Sequence, residues 1–299
     1  MKKFFILPII VLLLFLSACN QNLDSKIEVE MITYQSENGP IEVPADPQRV
    51  VVLSSFNAGS VMALDVNIVG VDAWAMGNAR YATYLKDAVE VTDQDLEKII
   101  ELNPDLIIAT PTTQNLNRLS EIAPTVTFTY GKFDYLNTHI EIGKLLNKEA
   151  EARAWVEDFK NRAHQAGLEI KAKIGENATV TVIENFNKQL YVFGDNWGRG
   201  TEILYQEMEL KMPEKVKEMA LTVGYYALST EVLPEYAGDY IILSSDGVDV
   251  SFQETSVYQN IPAVKNNRVF TVNASEFYFN DPITLEFQLQ LFKDSFLGN

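Results

Sequence analysis

The sequence predicts two α/β lobes joined by one long helix, and three observations carry that expectation. Apolar runs of strand length alternate with helical patterns in two successive sets, a proline-free helical stretch separates the sets, and one αβ unit occurs twice. With 299 residues, 47% of them hydrophobic, the chain exceeds the usual size of a single core and favours two domains of about 100 to 150 residues each.

The amino terminus comes first. Lys2 and Lys3 precede an apolar stretch from Phe4 to Leu16 that ends in Leu16-Ser17-Ala18-Cys19, the pattern of a signal peptide over residues 1–18. The run is shorter than the about 20 apolar residues a membrane-spanning helix needs. Cys19 is the only cysteine and sits at the acceptor position of a bacterial lipoprotein anchor, the alternative being a free cysteine after a cleaved signal. The polar stretch Asn20 to Lys26 would then be a tether, and residues 19–45 a lipidated lead-in to the first lobe. The expected location is outside the cytoplasmic membrane, attached to it through lipid.

The first lobe is expected over residues 46–146. Its strands are Val50 to Leu53, Ile68 to Val71, Leu106 to Ala109 and Val126 to Phe128, and its helices run from Ala58 to Leu64, Asp95 to Leu102 and Asn117 to Ile122. A spine helix follows within residues 147–175. From Lys148 to Lys173 the chain is rich in Ala, Glu, Lys and Arg, with Trp155, Phe159 and Arg162 at helical spacing. About 25 residues at 1.5 Å each span roughly 37 Å, enough to cross both lobes, and a single helical connector allows only a small opening motion. The second lobe, residues 176–299, has strands at Val180 to Ile183, Leu190 to Phe193, Tyr240 to Leu243 and Val269 to Val272, with helices near Thr201 to Met208 and Ile283 to Phe292.

The repeated unit links the lobes. Glu97 is followed eight residues later by Asp105-Leu106-Ile107-Ile108, and Glu231 at the same distance by Asp239-Tyr240-Ile241-Ile242. Each copy reads as a helix bearing the glutamate, a turn through Pro104 or Gly238, and a buried strand. A chance match between two αβ units is the other reading.

Charge narrows the function. With 24 Lys and Arg against 41 Asp and Glu the formal net charge is −17, and no basic face is available to displace phosphate counterions, so a nucleic-acid partner is not expected. A bare transition metal wants several His or Cys ligands, whereas beyond Cys19 the chain offers His139 and His164, both in helical stretches. No metal site and no resident cofactor are expected. For an enzyme one would look for an activated nucleophile or a carboxylate dyad. The chain has no Gly-x-Ser-x-Gly, and the adjacent Glu157 and Asp158 read as a solvated helix face.

The most informative binding segment is Tyr191-Val192-Phe193-Gly194-Asp195-Asn196-Trp197-Gly198-Arg199-Gly200-Thr201. A strand through Phe193, a glycine-rich turn and a helix start at Thr201 would place Trp197 and Arg199 at the carboxyl end of a sheet, where α/β ligands bind. A cation beside a helix amino terminus opposes the macrodipole and needs a negative partner. That partner is either a bound anion or a neighbour such as Asp195, with Trp197 then a packing residue. Other aromatics fall at comparable loops: Phe56, Trp74, Tyr84, Tyr130, and Phe277-Tyr278-Phe279. Each is a candidate pocket wall or a core residue.

The signal ending in Cys19, the opening Pro47-Gln48-Arg49-Val50-Val51-Val52-Leu53, the Glu97 unit with Asn103-Pro104-Asp105, the single spine and the Glu231 unit together resemble the substrate-binding lipoproteins of ABC importers for iron–siderophore complexes and cobalamin. The Tyr191 to Thr201 segment is most similar to the ferric-hydroxamate binders of Gram-positive bacteria. That resemblance implies a class III periplasmic-binding-protein fold with two Rossmann-like lobes. It implies that Tyr191, Trp197 and Arg199 face an iron–hydroxamate ligand, and it places Tyr130 and Tyr278 ahead of Trp74, Tyr84 and Phe56 as further contacts. A family Trp near residue 278 is replaced here, which leaves the contacting residue open among Phe277, Tyr278 and Phe279. The resemblance also implies that Glu97 and Glu231 pair with arginines of the two permease halves, that the chain is a monomer without enzymatic activity, and that its cargo is a ferric hydroxamate siderophore. Haem, cobalamin and a ferric catecholate are the alternative cargoes. The catecholate trianion would call for several cations, yet only Arg80, Lys132, Arg199 and Lys188 lie near the expected loops.

Overall fold

The computed structural model describes residues 29–298; the signal peptide, Cys19 and the tether to Lys26 lie outside the described residues. The described chain opens with an antiparallel hairpin of β1 (Met31–Ser36) and β2 (Gly39–Pro44). The reading of residues 19–45 as a lead-in assigns it no strand. The hairpin forms because a tight turn closes at Gly39, whose φ of 106° suits a residue without Cβ, and Ser36 Oγ donates to the Gly39 carbonyl at 2.7 Å. Tyr34 and Val43 bury into the first core.

The first sheet is built by β3 (Val50–Val52), α1 (Ser55–Ala63), β4 (Ile68–Val71), α2 (Ala73–Met76), β5 (Val89–Glu90), α3 (Leu96–Glu101), β6 (Leu106–Ala109), α4 (Leu116–Ile122) and β7 (Thr125–Thr127). Its strand order is β5-β4-β3-β6-β7, with every pair parallel. Both faces are covered. Val50, Val52, Leu106 and Ile108 enter the core on one side, and Val51 and Ile107 the core on the other. Burial on both faces is why these strands read as unbroken apolar runs rather than alternating ones.

Helix α5 (Tyr135–Leu145), capped by Asp134 accepting from Asn137 N at 2.8 Å, leads into α6 (Glu149–Ile174). The latter has 26 residues and is therefore about 39 Å long, as the spine expectation required. On α6, Trp155 stacks on Phe159 with ring centroids 4.9 Å apart, and Arg162 pairs with both Asp158 and Glu286.

The second sheet contains β8 (Val180–Phe186), β9 (Gln189–Phe193), β10 (Tyr225–Leu228), β11 (Tyr240–Ser245) and β12 (Val269–Asn273) in the order β10-β9-β8-β11-β12. Strands β8, β11 and β12 are parallel to one another, while β9 runs antiparallel to both its neighbours. Between them lie α7 (Glu214–Ala220), α8 (Leu233–Tyr236), α9 (Ser256–Gln259) and α10 (Pro262–Lys265), and α11 (Pro282–Leu297) ends the described chain. The helix expected from Thr201 to Met208 is a π-helical turn, Glu202–Glu207, in which Met208 N donates to Ile203 O at 2.8 Å. It lies close on α6 at Gly167, where a Cβ would come within 2.2 Å of the Met208 carbonyl oxygen.

The repeated unit has a structural meaning. Asp105 accepts from the backbone N–H of Gln48 and Arg49 at 2.6 and 3.0 Å, immediately before β3. Asp239 accepts from Thr179 N at 2.8 Å, immediately before β8. Each aspartate thus sets the start of its lobe's central strand, which pairs in parallel with the strand the aspartate precedes.

The tail of the chain serves both lobes. Phe277 is buried in the second-lobe core and Phe279 in the first, and Asp281, the N-cap of α11, accepts from the first-lobe Tyr81 hydroxyl at 2.5 Å. Two further ties cross between the lobes. Arg80 Nε donates to Glu276 at 2.8 Å, and the Tyr135 hydroxyl donates to Glu207 at 2.7 Å.

Candidate ligand-binding cleft

The loops at the carboxyl ends of the two sheets face one another across a cleft, the place where open α/β sheets bind ligands. Two connected cavities occupy it, of about 490 and 650 Å³. Phe56, Trp74, Tyr130, Phe186, Trp197, Arg199, Tyr278 and Asn280 line the smaller. Six of the eight ligand-contact candidates therefore come together: Phe56, Trp74, Tyr130, Trp197, Arg199 and Tyr278.

Each is placed by local structure. Phe56 stands in the first turn of α1, and Trp74 in α2, whose N-cap Asp72 accepts from Trp74 N at 2.9 Å and also from Ser55 Oγ. That carboxylate joins the starts of two helices, so the Phe56 and Trp74 rings meet edge to face with centroids 5.5 Å apart. Tyr130 leans on Phe56 at 4.8 Å, and Tyr278 reaches across the cleft to within 5.7 Å of Trp74. Of Phe277, Tyr278 and Phe279, the two phenylalanines are 0% and 1% exposed, and Tyr278 lines the cavity.

Tyr191 and Tyr84 do not line either cavity. Tyr191 lies half-buried on β9 beside Tyr225, ring centroids 5.9 Å apart, and Tyr84 is a half-exposed surface residue of the first lobe.

Arg199 has a partner that the sequence reading missed. Its Nη2 and Nε donate to the two carboxylate oxygens of Glu184 at 3.0 and 3.1 Å, a bidentate pair, whereas the nearby Asp195 is not its partner. Glu184 is 1% exposed and also accepts from Ser244 Oγ at 2.8 Å. The guanidinium carbon lies 5.0 Å from the Tyr278 ring centre and 5.1 Å from that of Phe193. Arg199 itself has a φ of 59° between Gly198 at 68° and Gly200 at 80°, a left-handed run that costs strain at the non-glycine residue. The glycines are needed for contact as well as conformation. A Cβ on Gly198 would meet the Tyr278 carbonyl oxygen at 2.4 Å.

Beneath the loop sits a second carboxylate. Glu202 is fully buried and accepts from Gly198 N and from Asn280 Nδ2, both at 2.9 Å, and burial pushes its carboxyl above the usual range. Burial pushes Asp281 up in the same way. Among the basic residues considered as site candidates, Arg80 pairs with Glu276 and lies over Phe287, and Lys132 pairs with Glu37 at 3.6 Å. Arg199 is the one Lys or Arg that lines either cavity among the described residues. Glu184, Phe186, Asn57 and Asn280 went unnoticed in the sequence. Glu184 directly follows the run Val180-Thr181-Val182-Ile183, and nothing in that spacing marks it as a partner of Arg199.

Glu97 and Glu231 are both exposed, the first in the opening turn of α3 and the second in a 3-10 turn, Thr230–Val232, that precedes α8. A hydrogen bond from Ser229 holds the Glu231 carboxyl below its usual range.

Comparison with known proteins agrees with this architecture. The iron(3+)-hydroxamate-binding protein FhuD of Bacillus subtilis strain 168 is 35% identical over 300 residues, which cover 96% of this chain and 95% of that protein. The FhuD protein of S. pseudintermedius superposes with a TM-score of 0.80 at 35% identity, covering 90% of this chain and 99% of that one. FhuD2 of Staphylococcus aureus with bound ferrioxamine B gives 0.79 at 34% identity, covering 84% and 99%. A family profile described as periplasmic binding protein matches residues 50–276, which hold both five-stranded sheets and the helix between them. With that match and relatives of such identity over nearly its whole length, the chain belongs to the periplasmic binding protein family.

Proposed function

We propose that this protein captures ferric hydroxamate siderophores in the cleft between its lobes and delivers them to the permease of an ABC importer. One observation carries the choice of ligand. Among the described residues the cleft presents one basic side chain, Arg199, paired with Glu184 within a wall of aromatic rings, and neither Arg80 nor Lys132 lines it. A ferric tris-hydroxamate is neutral or singly positive and suits one hydrogen-bonding cation and apolar walls. A tris-catecholate trianion would need several charge-assisted contacts, each contributing about 1.5 to 3 kcal/mol. The names of the relatives, iron(3+)-hydroxamate-binding proteins, support the same reading.

In this reading Arg199 contacts the hydroxamate oxygens while Glu184 holds it in place, and Tyr130, Tyr278, Trp74, Phe56 and Trp197 pack on the complex. Tyr191 lies in register with Glu184 on the neighbouring strand, outside the cavity lining. Glu97 and Glu231 dock the two lobes on the two permease halves, two fixed charges that set orientation and association rate. Cys19 carries the lipid that keeps the protein at the outer face of the membrane, where it works as a monomer composed of the lobes 46–146 and 176–299 about the spine 147–175. It performs no covalent chemistry.

Quenching of tryptophan fluorescence tests the ligand class, with Trp74 and Trp197 in the wall as reporters. Ferrichrome and ferrioxamine B should quench at far lower concentration than ferric catecholates, haem or cobalamin. A ferric catecholate bound more tightly than every hydroxamate would overturn the assignment.

A further inference from the structure

The hairpin of β1 and β2 turns at Glu37 and Asn38, and that turn meets the carboxyl end of β7, where Asn38 Nδ2 donates to Thr127 Oγ1 at 3.0 Å. Glu37 reaches further, into the loop of residues 128–134 that joins β7 to α5. Its Oε1 accepts from Thr129 N at 3.0 Å and its Oε2 from Thr129 Oγ1 at 2.6 Å, and Lys132 Nζ lies 3.6 Å from the carboxylate. Burial pushes the Glu37 carboxyl up, but the Thr129 hydrogen bonds and Lys132 together outweigh it and hold the carboxyl below its usual range. Glu37 is therefore ionised at neutral pH, and hydrogen bonds to a charged acceptor are the stronger kind.

The loop it grips carries a wall of the cleft. Thr129, Tyr130 and Gly131 line the larger cavity, and Tyr130 lines the smaller one as well. Residues 129–132 are nevertheless exposed and belong to no helix or strand. Within the loop Lys132 N donates to Thr129 O at 3.2 Å, and the Tyr130 ring leans on Phe56. From outside the loop, Glu37 is the one side chain that hydrogen-bonds or ion-pairs with residues 129–132 among the described residues. Without that hold the loop would be ordered only as cargo arrives, and the lost backbone freedom would be subtracted from affinity. Glu37 lines neither cavity, so any effect on cargo passes through the loop.

We infer that Glu37 is a positioning residue for the cleft: from the tip of the amino-terminal hairpin it fixes Thr129 and Lys132 and so holds the Tyr130 ring in the wall before cargo enters. The inference rests on the ferric hydroxamate reading, in which Tyr130 packs on the complex, and it gives the hairpin a part in binding.

The test is a double-mutant cycle read with ferrioxamine B on the purified protein, Glu37→Ala, Tyr130→Ala and the variant carrying both. Glu37→Ala should weaken binding about tenfold, and should add less than about twofold once Tyr130 is gone. A merely structural role would weaken both backgrounds alike; that result overturns the inference, as does full affinity in the single variant. Asn38→Ala releases the hairpin from Thr127 and leaves the grip on the loop, so affinity should change less than about twofold. A loss equal to that of Glu37→Ala would assign the effect to hairpin packing and overturn the inference. Amide hydrogen exchange of the ligand-free proteins reads the grip itself: Thr129 and Lys132 should exchange faster in Glu37→Ala than in the parent or Asn38→Ala, and unchanged exchange overturns the inference. Should Glu37→Ala be too unstable to titrate, the isosteric Glu37→Gln should lose about threefold, again only while Tyr130 is present, and full affinity there overturns it too. If the unmodified protein binds no ferric hydroxamate the siderophore reading falls, and the exchange rates alone then decide whether Glu37 holds the loop.

Discussion

Arg199 and Glu184 form a bidentate ion pair in which the carboxylate is 1% exposed and the guanidinium side chain 16%. Because the residue that faces the cleft is also the neutralising partner of a buried acid, the proposed ligand contact of Arg199 would tie binding to folding. Arg199→Ala should weaken ferric hydroxamate binding by about 2 kcal/mol and destabilise the fold by about 2 to 3 kcal/mol, somewhat below a fully buried pair because the guanidinium keeps some solvent. Arg199→Ala with Glu184→Gln should recover much of the stability and none of the affinity. Denaturant titration beside ligand titration separates the two, and unchanged stability in the single variant would contradict the coupling.

A second prediction concerns the repeated glutamates. Glu97→Ala with Glu231→Ala should leave ligand affinity of the purified protein intact and reduce uptake by cells, because both carboxylates are exposed and neither lines the cleft cavities. The uptake loss should shrink at high ionic strength, where docking charges are screened. Weakened ligand binding in the double variant would argue against a docking role.

A third concerns acid stability. His139 is 1% exposed, lies edge to face with Trp155, and burial pushes its imidazole down to about 4. Unfolded, it takes up a proton near 6.5. Between those values the unfolded chain binds the extra proton, so stability is fully present above about pH 6.5 and declines as pH falls towards about 4. His139→Phe removes that dependence, and the melting temperature of the variant should fall less than that of the parent between pH 7 and about pH 4.5. Parallel pH profiles would exclude His139 as the cause.

A fourth concerns the anchor. Cys19→Ala removes the chain's only thiol, so metabolic labelling with a fatty acid should no longer mark the protein, and it should be released or held as a precursor. Label retained by the variant would refute the anchor.

Much of the fold was readable because its strands are buried on both faces. The runs at Val50, Ile68, Leu106 and Tyr240 needed no periodicity to be found, and the spine announced itself by length and composition. Strand β10 did not. Tyr225 to Leu228 alternates in exposure at a sheet edge, where sequence carries little more than a turn would. In the cleft, the aromatic residues were legible because large rings at strand-to-helix loops have few other uses. Glu184 was not, since what distinguishes it is a partner farther along the chain, which local spacing does not show.

The three ties between lobes, Arg80 with Glu276, Tyr81 with Asp281 and Tyr135 with Glu207, have a consequence for transport. A receptor whose lobes are stapled together at three points has little freedom to announce occupancy by changing shape. The permease would then engage empty and loaded receptors almost alike, and an excess of the empty protein should act as a competitive inhibitor of import. Import that is indifferent to that excess would mean that the staples yield when cargo enters.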